Sequence, residues 1–317
     1  MKKIVSLVLA LMLCLSCVSA LAAEAWTVTC PWAPSGVAAM VNQKAASLST
    51  TYSQDYVLVA NAEKGDTATI NSWLTKYTEA DPQMCFIGEG MFGITAILDP
   101  ERMNFTYDDF KYVENLYSSI FVASARKELG ITSIDALKAY LEEGNQIMVG
   151  TNGATGSEAF LAAALIGAMG YGDQFYLIPY ESAAEAAQAV TRGEVDIAVS
   201  HQSQILETWQ QGGVDVFAAF DGKPIAQGPF KGVEGVGQYG YPYFRNRCFI
   251  FAKAGADEQK IADLKALYAQ ILTDEEMVDW LNNTMLLEAD MMTEEEVIAH
   301  IDNVKNIVDE YYDLVAE

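Results

Sequence analysis

Hydroxyls, thiols and imidazoles are the groups from which an active site is usually assembled, and in this 317-residue chain they do not fall into a catalytic spacing. A secreted hydrolase would need Ser157 or Ser203 activated by His201. No Gly-x-Ser-x-Gly turn surrounds either serine, and no acid is placed to orient the imidazole. His201 and His300 lie far apart without Cys or His partners at metal-ligand spacing, so neither a metal nor another cofactor is expected. Cys30, Cys85 and Cys248 are an odd set in apolar runs, which reads as buried free thiols rather than a disulfide framework. A Cys30–Cys85 bridge stays open if their strands are neighbours. The expectation is a protein that binds rather than catalyses.

Binding chemistry is concentrated instead in short loops rich in Gly, Pro, Ser and Thr. Trp32-Ala33-Pro34-Ser35-Gly36-Val37, Gly65-Asp66-Thr67, Gly88-Glu89-Gly90 and Asn152-Gly153-Ala154-Thr155-Gly156-Ser157 each follow a strand-like run and precede a helical one. In an open parallel sheet, ligands sit beyond the carboxyl ends of the strands. The next helix presents unpaired N–H groups and a partial positive charge there, enough to hold a carboxylate or phosphate without an arginine. Small residues let the backbone approach closely, and hydroxyls add donors. One such loop would be an ordinary turn; several at the same edge indicate a site. Gly150 and Gly156 are spaced as in a phosphate loop, but no lysine follows, which disfavours a triphosphate.

The elements that must position these loops alternate along the chain. Residues 26–30 read as a strand and 36–48 as a helix, with Val37, Met40, Val41, Ala45 and Leu48 on one stripe. The same strand–loop–helix order recurs at "DYVLVANAEKGDTATINSWLTKY", "QIMVGTNGATGSEAFLAAALIGAMG" and "RCFIFAKAGADEQKIADLKALYAQIL", and Thr293 with Glu296 forms a capping box. Such alternation predicts an α/β fold with largely parallel sheets.

Residues 1–25 read as a secretory signal peptide: Lys2 and Lys3, then an apolar run too short to span a membrane, then Ala20-Leu21-Ala22 and Ala23-Glu24-Ala25 as possible cleavage sites. The product is expected to be periplasmic, or lipid-anchored to the outer face of the membrane if Cys17 is lipidated. The net charge of −24 argues against nucleic acid and anionic lipid as partners, because both are polyanions.

From residue 26 to the C-terminus the chain resembles the extracytoplasmic receptors of tripartite tricarboxylate transporters, the Bug-type proteins. "TVTCPWAPSGVAAMVNQKAASLS" is similar to that family's first strand and "PfaPGGgtD" loop, and "VLVANAEKGDTATINSWLTK" to its "vvveNrpGAgGniG". "MNFTYDDFKYVENLYSS", "VGTNGATGSEAFLAAALIGAMG" and "IPYESAAEAAQAVTRGEVDIAVS" follow in the family's order. The resemblance implies a two-domain periplasmic-binding-protein-like (type II) fold with a ligand cleft between the lobes, residues 26–122 plus 222–317 forming one and 123–221 the other. It further implies a monomer that closes on a small carboxylate, a dicarboxylate, tricarboxylate or amino acid, and delivers it to membrane permease subunits. A signalling partner or an ATP-driven importer is the alternative recipient. Residues 32–37 and 152–157 would hold the carboxylate, with Gly88, Glu89, Tyr180, His201 and Gln202 nearby. Gly65-Asp66-Thr67-Ala68-Thr69-Ile70 stands for the family's "GAgGniG", which adds a carboxylate near the pocket. Asp66 is either a helix cap or a partner for a ligand amino group.

Overall fold

The computed structural model describes residues 23–315, so the signal-peptide segment and Cys17 lie outside the described residues, except that Glu24 and Ala25 already belong to the first strand. Ten strands form two five-stranded sheets. The first contains β1 (Glu24–Cys30), β2 (Tyr56–Ala62), β3 (Gln83–Gly88), β4 (Phe110–Ser119) and β10 (Asn246–Lys253), in the order β2-β1-β3-β10-β4. The second contains β5 (Phe121–Arg126), β6 (Ile147–Asn152), β7 (Phe175–Tyr180), β8 (Ile197–His201) and β9 (Val214–Ala219), in the order β7-β6-β8-β5-β9.

The sheets are mixed rather than parallel throughout. In the first, β10 runs antiparallel to both neighbours, and in the second β5 does. The cause is connectivity. Each reversed strand is the one that enters from the other sheet, β5 directly after β4 through Ile120 alone, and β10 after the segment that follows β9. A strand entering from the shared border must run away from it, whereas the strands built by strand–helix–strand crossovers run toward it. The carboxyl ends of β1, β3, β6, β7 and β8 therefore converge on one border.

Helices cover both faces of each sheet. Val37–Tyr52 buries Val37, Val41, Ala45 and Leu48 against the first sheet, the predicted stripe with Met40 left half-buried at its edge. Ser157–Ala168 is buried on nearly every side, consistent with its almost unbroken run of Ala, Leu, Ile and Phe. A third body of core is aromatic: Phe92, Phe105, Phe110, Tyr112, Phe249 and Phe251 meet mainly edge to face.

Two expectations change on contact with this architecture. Ile225, Phe230, Val236 and Phe244 pack into the clusters of the second sheet, so the segment 222–244 sides with that sheet and not with the first. The Glu294–Glu310 helix is shared: Val297 and Ile301 join the aromatic cluster, while Val304 and Val308 join the core around Phe160 and Phe244. The cysteines are free and buried. β1 and β3 are neighbours with Thr29 opposite Cys85, but Cys30 faces the helix-covered core with Phe86 while Cys85 faces the aromatic cluster with Ile87. Opposite faces of one sheet preclude the bridge.

Candidate functional site

The convergent strand ends enclose a cavity of about 340 Å³. Trp32, Ala33, Gly36, Val37, Asp66, Gly88 and Glu89 line it from the first sheet, and Asn152, Gly153, Ala154, Thr155, Gly156, Ser157, Tyr180 and His201 from the second. Pro34, Ser35, Thr67 and Gln202 lie outside the lining. Pro34 and Ser35 are exposed on the outer side of their turn. Thr67 is buried beneath its helix, and Gln202 turns inward at the first helical position so that Gln204 lines the cavity instead.

Two helices bring uncapped N-termini to this space. Val37–Tyr52 and Ser157–Ala168 both begin after a glycine, Gly36 and Gly156, and neither has a side-chain cap. Their first-turn N–H groups are therefore unspent donors carrying the positive end of the helix dipole. The glycine donors of the two segments are already spent. Gly36 N–H is consumed by Ala33 O at 2.8 Å, and Gly153 N–H by Tyr180 O at 3.0 Å. Val37, Ala38 and Ser157 line the cavity and supply the free ones. Trp32 forms the floor, its indole close enough to Gly88 that an added Cβ there would lie 3.5 Å from Cη2.

Charged side chains complete the wall, and most were not legible locally. Glu89 is fully buried. It accepts from Ser157 Oγ at 3.0 Å, from Asn246 Nδ2 at 3.0 Å and from Arg247 N–H at 2.8 Å. Burial still holds its carboxyl above the usual range. Arg102 comes from a distant turn to donate to Thr155 Oγ1 at 2.9 Å and to Asp66 at 3.3 Å. Lys64 pairs with Glu181. The Arg102–Thr155, Lys64–Glu181 and Ser157–Glu89 contacts each join one lobe to the other, so the lobes are closed on the cavity.

Asp66 does not cap its helix through its side chain. It adopts φ 52° and ψ −128°, a positive-φ conformation uncommon for a non-glycine residue, with its N–H donated to Pro31 O at 2.9 Å. Strain of this kind costs about 1–3 kcal/mol and is concentrated at functional sites. Burial raises its carboxyl, opposed first by Arg102.

His201 is buried beside the cavity, its Nδ1 2.7 Å from Ser119 Oγ. Burial drives its imidazole down to about 3 and keeps it neutral. Ser157 donates to Glu89 rather than to His201, whose hydroxyl partner is Ser119. Among the described residues no cluster of three or more His, Cys, Asp or Glu is arranged to hold a metal.

Glu158, in the first turn of its helix, is 6% exposed and lines the cavity. Burial, reinforced by the charges of Glu89 and Asp66, pushes its carboxyl up to about 8. The folded protein therefore keeps a proton that the unfolded chain releases above about pH 4.5, and stability from this group falls as pH rises toward 8. The unfolding free energy of wild type minus that of Glu158→Gln is expected to fall by on the order of 4 kcal/mol from about pH 5 to about pH 9, read by urea denaturation. The subtraction removes the contributions of His201 and His300, both lowered to about 3. Those act in the opposite sense, losing stability as pH falls below 6.5.

Residues 54–306 match the family described as the tripartite tricarboxylate transporter family receptor, TctC. No curated protein sequence matches the chain. Among solved structures it is similar to the periplasmic binding protein BugD, at 15% identity and a TM-score of 0.78 over 92% of this chain and 98% of that one. It is likewise similar to R. palustris Rpa4515 with adipate, at 15% identity and a TM-score of 0.80 over 92% and 96%. MatC from Rhodopseudomonas palustris with bound malate gives 17% identity and a TM-score of 0.76 over 92% and 98%. At these identities the likeness is one of fold.

Proposed function

The chain belongs to the tripartite tricarboxylate transporter receptor family, and from that membership we propose that it captures a small organic acid in the interlobe cavity and hands it to membrane permease subunits. One observation carries the reading. Two helices from opposite lobes, each beginning at a glycine without a side-chain cap, direct free N–H groups into one enclosed space. A carboxylate bridging them is held by both lobes at once, so it binds the closed form in preference to the open one. The volume of about 340 Å³ falls in the range of small-molecule sites. Adipate and malate, bound by the two relatives of like fold, are acids of that scale.

In this reading the lobes divide near Ile120 and again near Arg245. That arginine donates to Asp221 at 3.0 Å on one side of the crossing and to Glu288 at 2.6 Å on the other. Val37, Ala38 and Ser157 supply the principal amides, Trp32 the apolar floor, and Thr155 and Asn152 flanking polar contacts. The receptor works as a monomer outside the inner membrane.

Native mass spectrometry of the protein purified without unfolding tests this directly. A co-purified organic acid, whose class calorimetry with that acid then reproduces, is the expected result. A panel of mono-, di- and tricarboxylates and amino acids that neither binds nor stabilises the protein overturns it.

A further inference from the structure

The cavity is lined by more acceptors than a simple dicarboxylate can use. Glu158 is a buried carboxylate with no ion pair among the described residues. Its Oε2 folds back to within 3.5 Å of the place a Gly156 Cβ would occupy, beside the free amide of Ser157. Asn246, 7% exposed and also in the lining, has its Nδ2 committed to Glu89 and its Oδ1 left without any hydrogen-bond partner. The cavity's cations are already engaged, Arg102 with Asp66 and Lys64 with Glu181. For want of a counter-charge the buried Glu158 carboxyl keeps its proton, and the orphaned Asn246 carbonyl costs free energy unless a ligand satisfies it.

Resting on the receptor reading above, we propose that the captured acid is an α-amino acid, its carboxylate on the helix amides and its protonated amine between Glu158 and the free Asn246 carbonyl. The two groups of an α-amino acid hang from one carbon, so donors and acceptors must be adjacent. The first turn of Ser157–Ala168 provides that adjacency, Ser157 N–H beside the Glu158 carboxylate. Glu89 and Asp66 extend the same negative potential toward the amine, while neutral His201 adds no competing charge. A second carboxylate in this position would instead face Glu158, Glu89 and Asp66 with no free cation to offset them. The raised carboxyl of Glu158 fits as well: an arriving ammonium favours the ionised form, so binding releases a proton to the buffer.

The test is calorimetry on matched pairs: L-glutamate against glutarate, L-aspartate against succinate, L-leucine against 4-methylpentanoate and L-phenylalanine against 3-phenylpropanoate, with isopentylamine as an amine lacking the acid. At least one amino acid is expected to bind about tenfold or more tighter than its deaminated partner, a difference of about 1.4 kcal/mol. In Glu158→Gln that ratio should shrink to about threefold or less. Deaminated acids that bind as well as or better than their partners, or a ratio that survives Glu158→Gln, overturn the amine assignment while leaving a carboxylate receptor standing. Binding of isopentylamine alone, or of no member of the panel, overturns the receptor reading together with it.

Discussion

Gly90→Val is expected to weaken ligand capture by up to about 100-fold while leaving a folded protein. Gly90 sits at φ −61°, ψ −30°, ordinary helical space that valine occupies without strain, so neither lobe has reason to unfold. The obstacle is across the cleft. A Cβ at this position would lie 2.7 Å from Ser157 Oγ, too close for the closed arrangement, in which that hydroxyl is held by Glu89. Opening the lobes relieves the clash and closing them restores it, so the substitution penalises one state only. Overpacking of this kind costs about 1–3 kcal/mol, which at its upper end lowers affinity by about 100-fold. Calorimetry with the co-purified acid reads the loss, and small-angle scattering reads a larger radius for the variant. Retained affinity would show that Gly90 and Ser157 do not meet in the bound form.

Glu89→Ala is expected to be the most damaging single change in the cavity wall for stability. Truncation leaves Ser157 Oγ, Asn246 Nδ2 and Arg247 N–H facing a void where one carboxylate now serves all three. Each buried donor stranded without a partner costs about 1–3 kcal/mol. Part of that loss is returned, because a carboxylate held unfavourably by burial is removed. A net destabilisation of about 3 kcal/mol follows, read by urea denaturation. Glu89→Gln keeps an acceptor oxygen in place and should lose about 1 kcal/mol. If alanine cost no more than glutamine, the three donors would be finding other partners.

Much of this was readable from local sequence because the signals are local. The Trp32-to-Gly36 turn, the stripe from Val37 to Leu48 and the glycine-rich segment ending at Ser157 each encode strand, turn and helix within one short window. The loops gather where an α/β topology gathers strand ends, so fifteen of the residues expected at the site line the cavity. What was not readable depends on distance along the chain. Arg102 reaches Thr155 from a turn that has no motif of its own, and Lys64 meets Glu181 only because the lobes face each other. Glu158 looked like an ordinary acid in the first turn of a helix, a position favoured by the dipole, and nothing nearby in sequence reveals its burial. Likewise the hydrogen bond from Gly36 to Ala33 removes a donor that composition alone would count as free. The 222–244 segment carries no composition change to mark its allegiance, and only its packing of Phe230 and Phe244 assigns it.

The helix shared between the two cores has a mechanical consequence. Val297 and Ile301 are anchored on one side and Val304 and Val308 on the other, with Gly93 lying so near Val304 that a Cβ would come within 2.6 Å. Two bare backbone crossings would let the halves swing freely. A rigid rod glued at both ends makes that swing a torsion, in which every degree of gape must peel apolar surface from one seat or bend the rod itself. Release of cargo is thus loaded against a built-in return force, and the resting jaw angle is written in a few valines that line no part of the cavity.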